Sequence, residues 1–495
     1  MVAPKAEIRT FDDFREYSLW YLRDVGLTTP EILGNEFKIV LAKNKDDEVE
    51  FGDFKGRKKF KGPEDFPSGE WNGRSYVEIL ANLANIQGDT EFGSNEQQVG
   101  LWESAPSEYD RKILLSVINE EFRHGWQMGF FETDVIKTEE AFWAAQSLLE
   151  RRSGDGDDKR LLGAFNNPIT DWIGMYCFLE FMDRDGGSQL TLLARSAVED
   201  LSRSMLFMLR EEAKHLRSGQ QGFERMCAAG KLPIDLLQKY VNLFAPLGYD
   251  LHGGERSTNA LIYYKLGLKG FYPSQHDYLE RPAREAFDPH LFNDLVHRER
   301  NNRDYGYKFV DLNLEGPAED INKELLNGIT VTFYKRALES HFEKFNELIR
   351  QNYPAGTPEL VLPSIRFHRD RPSIYAGEYY DIHGRPIESK AEYQRYLEEN
   401  LPSEKDKARL EEVFAESDWL APPELDVYKT PTKVQSTDEV LYETVFGERV
   451  SKKYTFCLSK AAKEREQAEQ KQESASSASD SDDQPFWAFM DAETD

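Results

Sequence analysis

The sequence predicts a mainly α protein: a four-helix bundle with additional helices and a small β-containing C-terminal region. Three observations point there. Long stretches between residues 73 and 270 carry apolar residues at helical period. Two of these stretches hold the same kind of string, EEFRH at Glu120–His124 and EEAKH at Glu211–His215. Each string follows another helix-borne carboxylate at nearly the same distance: Glu91 lies 30 residues before Glu121, and Asp183 lies 29 before Glu212.

A chain of 495 residues allows roughly three domains, or one large domain with additions, at about 150 residues each. The formal charge is 62 − 89 = −27. That balance argues against unspecific binding to nucleic acid, which needs basic surface to replace phosphate counterions. Hydrophobic residues make up 39% of the chain, enough for a large core, which rules out global disorder. No apolar run reaches the roughly 18 residues of a membrane span, so no membrane partner is expected. The start, MVAPKAEIRTFDDF, has neither the basic nor the apolar region of a secretory leader. Cys177, Cys227 and Cys457 are odd in number and far apart. They predict no disulfide framework and no thiolate metal site, and the expected location is cytoplasmic.

In chain order, residues 1–72 read as a mixed, polar N-terminal region, with KNKDDEVEFGDFKGRKKFKGPEDFPSGEW as loops or short strands. Residues 73–270 read as the bundle. Its helical stretches are YVEILANLANIQGDTEFGSNEQQ, then PSEYDRKILLSVINEEFRHGWQMGFF with Pro106 and Ser107 as start signals, then TEEAFWAAQSLLERR. After the loop RSGDGDD come ITDWIGMYCFLEFMDRD and a long stretch ending at Gly230, a C-terminal cap. Residues 271–461 read as a helical and β-hairpin extension covering the bundle, with His383-Gly384 as the hairpin turn. Residues 462–495, acidic and Ser-rich, read as a disordered tail.

Glu121 and His124 stand at i and i+3, as do Glu212 and His215, so each pair shares one helix face. A carboxylate and an imidazole on one face can bind one metal ion. Two facing helices of this kind, each joined by a carboxylate from another helix, make a di-metal site. Four carboxylates balance two divalent ions, and two neutral imidazoles complete the set. The mixed donors suit Fe(II) or Mn(II) better than Ca(II) or thiolate-bound zinc. The competing reading of a single Glu-x-x-His is solvated helix surface; two copies with matched upstream spacing argue against it. Glu96 rivals Glu91, and Glu180 and Asp185 rival Asp183. Glu120 and Glu211 are expected to face outward or to contact the ligands from behind.

These residues lie in segments that resemble a known family. QGDTE (87–91), INEEFRHGW (118–126), RRSGDGDDKRLLGAFN (151–166), DWIGMYCFLEFMDRDGG (171–187), MLREEAKH (208–215) and DLHGGERSTNA (250–260) resemble the oxygenase component of benzoyl-CoA 2,3-epoxidase. The catalytic subunit of phenylacetyl-CoA epoxidase is more distantly similar. The matching motifs run from about Leu83 to Gly270, over a third of the chain. The resemblance implies a ferritin-like bundle holding a non-haem di-iron centre on Glu91, Glu121, His124, Asp183, Glu212 and His215, the metal ligands and catalytic set. It implies O₂ as co-substrate and an aryl-CoA thioester as substrate, with benzoyl-CoA becoming 2,3-epoxybenzoyl-CoA in aerobic aromatic degradation. It implies electrons from a separate reductase carrying NADPH, FAD and iron–sulfur clusters. Gln87 falls where the family contacts the aromatic acyl group or the thioester carbonyl.

A CoA ester carries phosphates, so a locally basic channel is expected. Arg151, Arg152, Lys159, Arg160 and Arg256 are the candidates. The bland alternative is a charged surface loop for the first four, and for Arg256 an ion pair with Asp250 or Glu255. The remaining histidines show no comparable spacing, and Cys177 and Cys227 read as core. No GxGxxG fingerprint or P-loop is present, so NADPH is expected to act through the reductase. A monomer docking transiently to that reductase is the expected assembly. Two other functions stay open: a ferritin-type iron-binding or ferroxidase protein, and a radical-generating di-iron subunit, for which Tyr176 is the oxidisable group nearest a ligand helix. A bundle that has lost its metal is the weakest alternative.

Overall fold

The helical stretches begin where a polar side chain can satisfy the first free backbone N–H groups. The computed structural model describes residues 7–27, 36–43, 47–154, 156–157, 159–255, 257–271, 276–297, 318–367, 374–415 and 434–445. Helix α1 spans Phe11–Asp24, capped by Thr10 with Asp13 bonding back to the cap. Helix α2 spans Tyr76–Gln98 behind Ser75 and Glu78, which form the same reciprocal box. Helix α3 spans Glu108–Phe130, with Ser107 as its cap, and runs into a π-helical turn at Phe131–Ile136. Helix α4 covers Glu139–Glu150 and α5 covers Trp172–Cys177. A second π-helical segment, Phe178–Met182, leads into α6, Asp183–Leu193. Helix α7 is Glu199–Ala228, and Gly230 just beyond it takes φ +68°, as the cap reading requires. Helix α8 is Ile234–Leu251.

Helix α2 packs along α3, and α6 along α7; α3 and α7 meet between them. This four-helix core is mainly α and consistent with a ferritin-like fold. Beyond it come α9 (Thr258–Lys265), the short helices α10 (His276–Leu279), α11 (Ala283–Ala286), α12 (Pro289–His297) and α13 (Ala318–Glu324), then α14 (Leu326–Asn352), α15 (Lys390–Asn400) and α16 (Glu404–Ala415). Helix α14 lies on α7, with Phe345 stacked on Phe223 at 4.8 Å. One apolar cluster runs through the molecule, from Ile8 and Phe11 to Leu410. Among the described residues, no helix is long and apolar enough to cross a membrane.

One expectation changes, and the mixed N-terminal region holds elements beyond the loops and short strands expected of residues 43–71. Its helix α1 buries Phe11, Phe14, Tyr17 and Tyr21 against the bundle, and the N-terminal strand β1 (Glu36–Leu41) pairs antiparallel with β4 (Glu439–Val445). Strands β2 (Glu70–Trp71) and β3 (Arg74–Ser75) form a second short ribbon. The hairpin at 374–387 shrinks to a tight turn, with Gly384 at φ +78° and one bridge between Tyr380 and Pro386. The preceding segment finds its backbone partners on helices. Leu360 N–H donates to Asn346 Oδ1 at 2.7 Å, and Val361 N–H donates to Gln238 Oε1 at 2.7 Å. With those donors satisfied, and prolines at 358 and 363, no ladder is needed. The acidic tail lies outside the described residues.

Candidate metal centre

Four elements deliver six buried side chains to one place. Glu91 comes from α2, Glu121 and His124 from α3, Asp183 from the junction of the π segment with α6, and Glu212 and His215 from α7. Two groups could each hold a metal ion: Glu91, Glu121 and His124, and Glu121, Asp183 and His215. In each, the donor atoms lie within 4.8 Å of one another. Glu121 belongs to both, which places a carboxylate between the two positions. Glu212 joins the second group, its Oε2 3.3 Å from His215 Nδ1. His124 Nδ1 lies 3.5 Å from Glu91 Oε2, and His215 Nδ1 lies 2.9 Å from Glu121 Oε1.

The donor set fits metal. His124 Nδ1, His215 Nδ1 and Asp183 Oδ2 are buried and make no hydrogen bond among the described residues. Buried polar atoms seldom go unsatisfied, and three around one point ask for a cation. The opposite ring nitrogens are engaged: His124 Nε2–H donates to Glu211 at 3.0 Å, and His215 Nε2–H donates to Glu120 at 2.8 Å. That fixes the tautomer that leaves Nδ1 with a lone pair for the ion. Glu120 and Glu211 therefore do not face outward; both are about 1% exposed. Each reaches across to the other helix, and each is backed by a cation near the surface, Lys214 for Glu120 and Arg123 for Glu211.

The rival acids are engaged elsewhere. Glu96 accepts from Arg160 and Ser153. Glu180 holds Arg184 and His341. Asp185 faces His252 Nδ1 at 3.0 Å and accepts from Gln189. The π segment explains why Asp183 and not Glu180 faces the centre. It presses so close to α7 that a Cβ on Gly219 would sit 2.6 Å from Glu180 N. The wider turn re-aims the chain just ahead of Asp183, a recurring use of π-helical turns.

Without metal, protons do the balancing. Burial pushes Glu121 up to about 6, with Glu91 adding to it. Burial, with Glu212 and Glu121 nearby, holds Asp183 well above the usual carboxylate range. Burial opposes a charge on His124, but Glu211 and Glu91 outweigh it and push the imidazole up to about 10; His215 moves the same way. Glu120 goes down to about 2, because His215, Lys214 and Arg123 outweigh its burial. A metal requires both imidazoles neutral at Nδ1, so loading must expel protons. Apparent affinity for a divalent ion should therefore rise with pH from about 6 up to about 10. Calorimetric titration in buffers of different ionisation enthalpy checks this. A heat independent of buffer would contradict it.

A cavity of about 240 Å³ opens from Glu91, Glu121, Asp183 and Glu212. Apolar side chains line much of it, among them Leu83, Ile86, Phe165 and Leu190. Gln87 is on its wall, and its Nε2 donates to Glu91 at 2.6 Å. Arg151, Arg152 and Arg160 are not brought to the cavity. Arg160 is buried between Asp89 and Glu96, Arg151 bonds Asn85 and Asp89, and Arg152 pairs with Asp24. They pin the 151–166 loop to α2 and α1. Lys159 is exposed on that loop, and Arg256 lies outside the described residues. Tyr176 is bonded to Asp110 at 2.7 Å and packed on Gly222, about 10 Å along α7 from His215. Cys177 and Cys227 are buried core, as read. The reading missed Lys269, the cation on the cavity wall; nothing around it in LGLKGF marks it.

No family model matches the chain. Among curated proteins it is similar to benzoyl-CoA oxygenase component B of Aromatoleum evansii, 32% identical over 398 residues. The alignment covers 73% of this chain and 77% of that protein.

Proposed function

The chain belongs to the benzoyl-CoA oxygenase component B family, and on that premise we propose that it is a di-iron monooxygenase that epoxidises the ring of an aryl-CoA thioester. The observation that carries this reading is the buried pair of donor groups sharing Glu121 and opening onto a largely apolar cavity. Glu91, Glu121 and His124 would hold one iron, and Asp183, Glu212 and His215 the other, with Glu121 between them. Iron in this cage supplies reductive activation of O₂.

The chain's own residues do the rest. An apolar cavity of about 150 Å³ holds a benzene ring, so about 240 Å³ takes an aryl group and the atoms next to it. Leu83, Ile86, Phe165 and Leu190 exclude water around that ring and hold it against the carboxylate cage. Glu120 and Glu211 keep both imidazoles oriented while the charge at the centre changes. Electrons come from a separate component, as the relative's name "component B" suggests, and the benzoyl-CoA reading follows the same name.

The test is reconstitution. Protein loaded anaerobically with two ferrous ions per chain is given benzoyl-CoA, O₂ and a surrogate reductase. A product heavier by one oxygen atom, labelled from ¹⁸O₂, supports the reading. Ferrous oxidation with no change in any aryl-CoA would favour a ferroxidase, and a stable tyrosyl radical would favour a radical subunit.

A further inference from the structure

Among the described residues, Lys269 is the only cation lining the metal-centre cavity. It follows α9 in the turn where Leu268 and Lys269 N–H both donate to Tyr263 O. Its side chain is half-buried and makes no hydrogen bond or ion pair among the described residues. Burial lowers the pKa of its ammonium, and Asp185 nearby offsets only part of that. But Asp185 is already engaged by His252 and Gln189. A partly buried cation with no direct hydrogen bond, beside a carboxylate already engaged by other groups, is favoured when a ligand completes its coordination.

The size of the cavity says which part of the ligand that is. At about 240 Å³ it takes an aryl group and its neighbouring atoms, while the nucleotide and its phosphates stay outside. The polar atom that must enter with the ring is the acyl carbonyl oxygen. Of the neutral donors on the wall, Gln87 gives an amide N–H to Glu91 and Gln189 gives one to Asp185; Lys269 is the charged one.

We propose that the Lys269 ammonium donates to the thioester carbonyl oxygen, positioning the aryl ring over the carboxylate cage and selecting acyl over alkyl thio-linkages. This rests on the aryl-CoA reading above. No bond is made or broken at Lys269; it binds and orients.

Benzoyl-CoA and its thioether analogue benzyl-CoA, which lacks the carbonyl, separate the possibilities. Each is titrated into the iron-loaded protein and into Lys269→Met and Lys269→Gln, with metal content and circular dichroism confirming the fold. The expected result is a ten- to hundredfold loss of benzoyl-CoA affinity, about the worth of a charge-assisted hydrogen bond. Benzyl-CoA should bind wild type and variants alike. Equal losses for both compounds would put the ammonium on the CoA arm, and no loss for either would remove it from the site; each overturns the proposal. Tighter, more Lys269-dependent binding of free benzoate than of benzoyl-CoA would overturn it too, by making a carboxylate the ligand. Should wild type bind neither CoA compound, the aryl-CoA function itself fails, a result distinct from a variant that binds like wild type.

Discussion

Glu121→Ala is expected to strip iron from both positions at once and to abolish oxygen transfer. Glu121 is the one side chain common to the two donor groups, and it stands 2.9 Å from His215 Nδ1. Its loss takes a ligand from each ion and leaves an excess of positive charge between them. Changing an outer contact costs about 10–100-fold in metal affinity; removing a shared ligand should cost well beyond that. Iron per chain after gel filtration, with single-turnover product yield, is the measurement. A variant that retains two irons and full turnover would end the assignment of this centre.

Arg160→Ala is expected to destabilise the protein by about 3–5 kcal/mol, the cost of stranding a buried charge. Arg160 is about 1% exposed and donates to Asp89, Glu96, the Leu148 carbonyl and Tyr21 Oη. Asp89, equally buried, would keep only Arg151 at 3.4 Å and the Leu161 N–H. Urea unfolding of the metal-free protein gives the loss. Affinity for benzoyl-CoA below the transition should stay within about twofold, within the range of a residue that touches no ligand. A CoA-binding arginine would give the reverse: little change in stability and a large loss of affinity.

That reversal shows where the sequence is legible. Helix ends are local events, so Ser107 and Gly230 announce α3 and α7 directly. The candidate ligands are legible because i,i+3 spacing fixes a face and both halves repeat it. The same local marks stand at α1, which the expectation of a mixed N-terminal region left unnamed: Thr10 and Asp13 form a capping box, and Phe11, Phe14, Ser18, Tyr21 and Leu22 repeat at helical period. Other features depend on distant residues. Glu120 and Glu121 are neighbours in sequence, yet what separates their roles is a histidine 95 residues away. Arg160 looks like a surface charge until Asp89 is placed beside it. The ribbon joins residues 36–41 to 439–445 with no shared turn to announce it. Asp183 was picked over Glu180 by its spacing from Glu212 and then by resemblance, because a π-helical turn leaves no periodicity to read.

The exchange of carboxylates between α3 and α7 has one further consequence. Glu120 serves the histidine of α7, and Glu211 serves the histidine of α3. Neither helix can shift without disturbing the histidine of its neighbour, and with it any ion that the proposed centre holds. Occupation of one position therefore pre-aligns the other, and stepwise filling should be cooperative, with singly loaded molecules scarce at every ratio of ion to protein.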